Sequence, residues 1–517
     1  MDSPIVNRVF RQLLRHPACE SRRNFARLVT SIQHARSTQH QQQQQHPQQQ
    51  RSYASRARGA QALAPNETDW QQRTDIFPQD KSDEFNKYPM VTATELRTRR
   101  ERPRKVKMLM RDFIEDSLYN PHYGYFSKQV VIFSPGEPFD FNSLRDDVDF
   151  QDRLAARYTD FEDRLDRDEG HSDTRQLWYT PTELFRPHYG EAIARYLVAN
   201  YLLTSYPYHD LIIYEMGAGR GTLMLNILDY IREAEPDVYA RTKYRVIEIS
   251  SNLASLQTKQ VNAATTTIGG QAASRGHASK VEIVNRSVFD WDEPVPSPCF
   301  FLAFEVFDNF AHDCIRYDAA TGQPLQGTVL VDGAGDFYEF YTPQLDPVAA
   351  RFFRVRHAAT GGRYPLPYPT SRAGRLLQAL RPFAPNLSAP EYIPTRLMQF
   401  FYVLDKYFPQ HRLLTSDFHS LPDAIKGLNA PIVQTRFERR PVPVTTPLVH
   451  QGYFDIMFPT DFQIMEAVYR AITGKLTRLT SHEEFMRRWA YVEDTETRSG
   501  ENPLLSWYKN ASVLTTV

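Results

Sequence analysis

Cysteine is nearly missing from this chain: Cys19, Cys299 and Cys314 are all there is in 517 residues. Three scattered cysteines exclude a disulfide framework and offer no metal-ligand spacing. The 15 histidines include no pair spaced to frame a glutamate on one helix face, so no metal site is expected. No apolar run approaches the roughly 20 residues needed to cross a bilayer, so no membrane span is expected. No segment of the chain repeats another. What remains is a chain 41% hydrophobic, suited to burying a core, and long enough for one large domain with insertions or for two domains.

Charge of one sign is also missing, but only locally. Up to Arg58 there are ten arginines, no lysine, and two acids, Asp2 and Glu20. Val6, Val9, Phe10, Leu13 and Leu14 can line one helix face, with Arg8, Arg11 and Arg15 beside it. A glutamine tract follows at Gln41 to Gln50. An arginine-rich, acid-poor, amphipathic start reads as a mitochondrial transit peptide, with Arg51-Ser-Tyr-Ala-Ser55 resembling the site cut by the matrix processing peptidase after Tyr53. A nucleic-acid-binding arm and plain disorder are the competing readings. Removing residues 1–53 takes away eight arginines and two acids from a neutral chain, which leaves about −6. That balance gives nucleic acid no attraction as a partner.

The richest signal is Leu211-Ile-Ile-Tyr-Glu-Met-Gly-Ala-Gly-Arg-Gly-Thr-Leu-Met-Leu225. An apolar run, an acid, three alternate glycines and a fresh apolar pattern describe a buried strand turning sharply into a helix. Gly217, Gly219 and Gly221 allow positive φ and close approach of a ligand to the backbone, at the point where the helix presents its free N–H groups. The dinucleotide fingerprint needs a glycine where Thr222 stands, so that reading fails. The spacing is that of S-adenosylmethionine (SAM) methyltransferases, with Glu215 two residues ahead of the first glycine. Further strands are expected at 241–249, 281–284 and 299–304, with Glu248, Asp290 and Glu305 at or after their ends. Apolar strands alternating with helical patterns predict a parallel sheet with crossover helices, whose ligands sit at the carboxyl ends of the strands. Glu215 is expected at the SAM ammonium, Glu248 at the ribose hydroxyls and Asp290 at the adenine amino group.

Along the chain, residues 54–90 read as a flexible lead-in. Residues 91–180 read as an N-terminal helical region, with a helical pattern over 94–118 and a solvated, partly helical acidic insertion over 134–176. Residues 181–470 read as the main domain, interrupted by an insertion around 331–410. Within it, 182–197, 394–408 and 461–472 read as helices, 328–341 as a hairpin, 262–280 as a surface loop and 411–417 as a late strand. Residues 471–517 read as a small helical tail.

The chain resembles the MidA-like methyltransferases over roughly residues 100–480. The pieces are Asn120-Pro-His-Tyr-Gly-Tyr-Phe126, Gly190-Glu191, Glu215-Met-Gly-Ala-Gly-Arg-Gly221, Glu248-Ile-Ser250, Phe304-Glu-Val-Phe-Asp308 and Asp455-Ile-Met-Phe-Pro-Thr-Asp-Phe462. The resemblance implies an α/β, Rossmann-like class I SAM-dependent methyltransferase fold, with inserted helical segments and a helical N-terminal region. For mitochondrial members it implies symmetric dimethylation of an arginine on a core subunit of respiratory complex I, in the matrix, during assembly. Carboxylates pair with a guanidinium and fix its plane, and Glu305 with Asp308 would do so here. Asp308 could instead cap a following helix. Tyr123 and Tyr125 could line the acceptor channel.

The chain also departs from the family pattern. Phe304 stands where an asparagine is usual, and Ala218 where proline is common. Thr180-Pro-Thr-Glu183 shifts the usual Thr-x-Pro-Glu by about one residue against Gly190-Glu191. Phe304 favours one alternative, a SAM-binding assembly factor without catalysis; a methyltransferase acting on a small molecule is a second, told apart by which component accepts the methyl group.

Overall fold

The computed structural model describes residues 70–72, 80–263, 265–268, 271–274, 276–368, 374, 386–422, 424 and 430–517. The chain divides into two units, Met1–Trp70 and Gln71–Val517, and the buried core of the described residues lies in the second. The expected transit peptide, residues 1–53, lies outside the described residues.

The second unit is built on a seven-stranded sheet. In chain order its strands are β1 (Leu211–Met216), β2 (Thr242–Ile247), β3 (Val281–Val284), β4 (Cys299–Phe304), β5 (His411–Phe418), β6 (Thr477–Ser481) and β7 (Ala511–Thr516). Their spatial order is β6-β7-β5-β4-β1-β2-β3. β3, β2, β1, β4 and β5 run parallel, and β7 is antiparallel to both of its neighbours. The strand order reverses between β1 and β4, which makes a crevice at their carboxyl ends.

The central strands β1 and β4 are apolar with little alternation because both faces are covered. Ile213, Val246, Phe300, Leu302, Leu414 and Val513 belong to one core, with helices α1 (His188–Thr204) and α2 (Thr222–Ala234). Their chain neighbours Tyr214, Ile247, Phe301, Leu413 and Leu514 belong to a second core, with α4 (Thr395–Tyr407) and α5 (Phe462–Thr473). Helix α3 (Ser251–Ala263) follows β2.

Between β4 and β5 the chain makes most of an antiparallel sheet, from Asp313–Tyr317, Pro324–Val331, Phe337–Thr342 and Glu391–Ile393. Val106–Leu109 joins it against Pro324–Val331.

Several expectations are corrected. The pattern over 94–118 is a helix Ala93–Leu96, the strand Val106–Leu109 and a helix Met110–Tyr119; Pro103 and the pairing with Pro324–Val331 break it. Helix Ser82–Lys87 falls inside the expected lead-in, and its Phe85 stacks on Phe340. The acidic insertion holds one long helix, Asp147–Glu169, which buries Phe150 and Leu154 and pairs Glu162 with Arg436. The expected surface loop contains a hairpin, Thr265–Ile268 with Gln271–Ser274. The last forty residues hold the helices His482–Trp489 and Pro503–Ser506 but are more than a helical tail, for they also supply β6 and β7.

Phe301 is fully buried in β4 and packs on Tyr214, Phe400 and Phe408. Phe301→Ala is expected to destabilise the fold by about 3–5 kcal/mol, measured by urea denaturation.

Candidate active site

Gly217, Gly219 and Gly221 form the turn from β1 into α2, at φ +72°, +53° and +83°. These left-handed values are what bars side chains there. Gly221 caps α2 without any side-chain bond, so the helix N-terminus keeps its own free N–H groups. A Cβ on Gly219 would come within 2.9 Å of Ile132 Cδ1, and one on Gly217 within 2.7 Å of Val306 Cγ1. The glycine turn therefore touches the turn that follows β4.

Two acids flank the glycine turn. Glu215, near the end of β1, is buried and accepts a hydrogen bond from the Tyr244 hydroxyl at 2.6 Å. Loss of solvent pushes its carboxyl up to about 7. Glu248 follows β2 and is also buried. It accepts from Ser250 N at 2.9 Å and from Gln257 Nε2 at 3.1 Å, and burial raises it to about 7. The same Gln257 amide donates to Gly219 O at 2.9 Å, while its Oε1 is buried without a partner. Glu248 and Gln257 thus put acceptors beside the glycine turn where a ribose would present its hydroxyls. Asp290 ends the 3₁₀ turn Val288–Asp290, and its half-exposed carboxylate pairs with Arg97 at 2.7 Å.

A second cluster lies at the ends of β4 and β5. Glu305 is half-buried and sits at φ +54°, a strained value for a residue with a Cβ. Its N–H donates to Ser416 O at 2.9 Å, and loss of solvent followed by the charge of Asp417 pushes its carboxyl well up. Asp308 is 4% exposed, and its Oδ1 is buried with no partner. Burial first, then Asp417, Asp455 and Glu305, drive its carboxyl well above the usual range. Asp417 accepts from Phe307 N at 2.8 Å and Phe418 N at 2.7 Å and is raised by burial to about 6. Asp455 accepts from Asn309 Nδ2 at 2.8 Å and is raised by burial to about 7.

The structure brings Glu215, the three glycines, Glu248, Glu305 and Asp308 to one end of the sheet. No helix follows Asp308, which lies in a turn, so its capping role is excluded. Tyr125 is not a channel residue: it is fully buried between Trp178 Nε1 and Gln176. Tyr123 turns its hydroxyl onto Asp116, at 2.8 Å from Oδ2. Phe304 packs edge-on against Tyr189. Sequence reasoning does not single out Asp417, Asp455 or Gln257. The parallel register setting Phe304 opposite Ser416 makes Asp417 the neighbour of Glu305, and that register is a tertiary fact.

A sheet ordered 3-2-1-4-5-7-6 with its seventh strand reversed, a glycine turn at the reversal and an acid after β2 define a class I SAM-dependent methyltransferase, and SAM is its cofactor. The chain belongs to the family described as "Putative S-adenosyl-L-methionine-dependent methyltransferase", whose model matches residues 192–480. It is 25% identical over 407 residues to the Schizosaccharomyces pombe "Protein arginine methyltransferase NDUFAF7 homolog, mitochondrial", across 75% of this chain and 80% of that one. The Saccharomyces cerevisiae protein of the same description is 20% identical over 352 residues, across 63% of this chain and 77% of that one. A Burkholderia thailandensis "likely methyl transferase", solved bound to S-adenosyl-homocysteine, superposes with TM-score 0.49 at 15% identity, covering 80% of this chain and 88% of that one.

Gly219→Val places a branched side chain at φ +53° and against Ile132, so calorimetry is expected to show loss of SAM binding with the circular dichroism spectrum retained. Glu305 supports a prediction of opposite sense. A carboxyl held above its ordinary range binds its proton more tightly folded than unfolded. Its contribution to stability is full at acid pH, below the unfolded value, and is lost as pH rises through the folded one. Glu305→Gln removes that loss, so its melting temperature is expected to gain on the parent's as pH rises from about 5 to about 8.

Proposed function

We propose that the protein transfers a methyl group from SAM to an arginine side chain of a protein. The observation that carries this reading is the group of Glu305, Asp308, Asp417 and Asp455 beside the glycine turn, with Asp308 Oδ1 buried and unpartnered. Carboxylates crowded to this degree repel one another until a cation arrives, and a guanidinium is planar, always charged and able to bond two carboxylates at once. The description of the fungal relatives as arginine methyltransferases supports the same acceptor.

Gly217, Gly219 and Gly221 cradle the methionine end of SAM, Glu248 takes the ribose, and Asp290 meets the adenine edge once it leaves Arg97. Glu215 adds negative charge beneath the ammonium. Bound SAM supplies a methyl carbon on a sulfonium, which passes to nitrogen in line as the carbon–sulfur bond breaks and its electron pair stays on sulfur. Glu305 fixes the guanidinium plane and draws its positive charge away from the attacking nitrogen, whose lone pair is then free to form the new bond. Asp308, whose own proton leaves for solvent as the guanidinium cation enters, then accepts the proton that this nitrogen sheds. Most of the rate gain comes from holding the two partners at attack distance.

The finer reading is the one the family resemblance implies, symmetric dimethylation of a complex I core subunit in the mitochondrial matrix in support of assembly; the mitochondrial description of the relatives and the arginine-rich start support its compartment. Phe304, apolar beside Glu305, favours a second reading, a SAM-binding assembly factor without catalysis. The test is incubation of the chain from residue 54 with labelled SAM and isolated complex I subunits, followed by mass spectrometry of arginines. Labelled arginine is the expected result, and Asp308→Asn is expected to slow it about 10²–10⁴-fold with SAM affinity kept. SAM binding with no labelled arginine, while a known methyltransferase labels its own substrate, selects the scaffold.

A further inference from the structure

We infer that the zwitterionic end of SAM is held from above by Glu183 and Arg186, outside the glycine turn. A short segment lies over that turn. Val130–Ile132 pairs in parallel with Gln176–Trp178, and the chain then enters helix Pro181–Leu184, capped by the Thr180 hydroxyl, which accepts from Glu183 N at 3.3 Å. This cover reaches the turn at three places. Ile132 Cδ1 overlies Gly219, Arg220 Nη1 donates to Ile132 O at 3.5 Å, and Thr222 Oγ1 donates to Glu183 Oε1 at 2.5 Å. Thr222 is the first residue of α2, so Glu183 stands at the helix N-terminus beside Gly221.

Glu183 is 2% exposed, and its second oxygen, Oε2, has no hydrogen-bond partner. Arg186 Nη1 lies 3.7 Å from that oxygen, too far to bond it, and Arg186 Nε is likewise buried without a partner. A buried acid and a half-buried arginine, loosely ion-paired and each with an open hydrogen-bonding position, face the N-terminus of a thirteen-residue helix. Leaving such groups unmet is costly, and an amino-acid zwitterion meets both. The ammonium donates to Glu183 Oε2. The carboxylate accepts from Arg186 and from the free N–H groups of α2. Glu215, already bonded to Tyr244, acts from the other side of the turn through its charge. The displaced Thr180-Pro-Thr-Glu183 keeps its acid in reach because Thr222, at the position where a dinucleotide fingerprint has glycine, holds it.

The inference rests on SAM as donor and not on the acceptor. Calorimetry with no acceptor present therefore separates its failure from that of the arginine reading. The probes are SAM, decarboxylated SAM, which keeps the ammonium alone, and 5′-methylthioadenosine, which has neither charged group. Glu183→Gln is expected to weaken SAM and decarboxylated SAM about 10–100-fold, the loss of one charge-assisted bond, and to leave methylthioadenosine within about twofold. Arg186→Gln is expected to weaken SAM alone. Undiminished SAM affinity in Glu183→Gln overturns the inference. An equal loss for methylthioadenosine also does, because it marks Glu183 as a cap of α2 and nothing more. Equal weakening of SAM and decarboxylated SAM by Arg186→Gln overturns its carboxylate role.

Discussion

The contact between the turns after β1 and β4 sets the geometry of everything around it. Gly217 has no Cβ, and the space one would fill is held by Val306. A residue with a Cβ at 217 would come within 2.7 Å of Val306 Cγ1 and push the two turns apart. Because glycine stands there, the glycine turn and the Glu305–Asp308 turn stand side by side. On the proposed reading, a methyl donor cradled by the first faces carboxylates carried by the second. The reversal of strand order at β1 and β4 opens the crevice, and the glycine lets its two walls close to reaction distance.

The acid cluster is the electrostatic counterpart of that contact. Asp417 stays ionisable near neutral pH because backbone N–H groups of Phe307 and Phe418 bond it. Asp308 has no such help at Oδ1 and keeps its proton far more tightly. One neighbourhood therefore holds carboxyls of unequal acidity, the arrangement that lets some carry charge while another handles a proton. The strained backbone of Glu305 belongs to the same trade of local stability for function.

The five parallel strands were legible in the sequence, most clearly where a buried strand carries an unbroken apolar run, as in Cys299–Phe304, whereas the polar residues of β6 and β7 hid them. The glycine turn was legible because left-handed φ leaves almost no other residue type open. Glu248, Glu305 and Asp308 followed from their places at strand ends. Asp417 and Asp455 did not, because their relevance depends on which strands become neighbours across gaps of more than a hundred residues. Glu183 was visible only as an irregular spacing. Its meaning came from the Thr222 hydroxyl and from an oxygen left without a partner. The pattern over 94–118 misled because a strand of the antiparallel sheet interrupts it, and the acidic segment misled because one buried stripe, Phe150 and Leu154, anchors an otherwise solvated helix.

β7 is the last strand in the chain and lies between β5 and β6. Neither neighbour can be joined to the other until residues 511–516 are in place. During synthesis on a ribosome, or threading through a membrane pore, the sheet therefore stays open at this side until its final strand has emerged. Leu413 and Leu414 wait for Val513 and Leu514 before either core is sealed. A chain stopped short of β7 keeps bare edges on β5 and β6, each open to pairing with another chain.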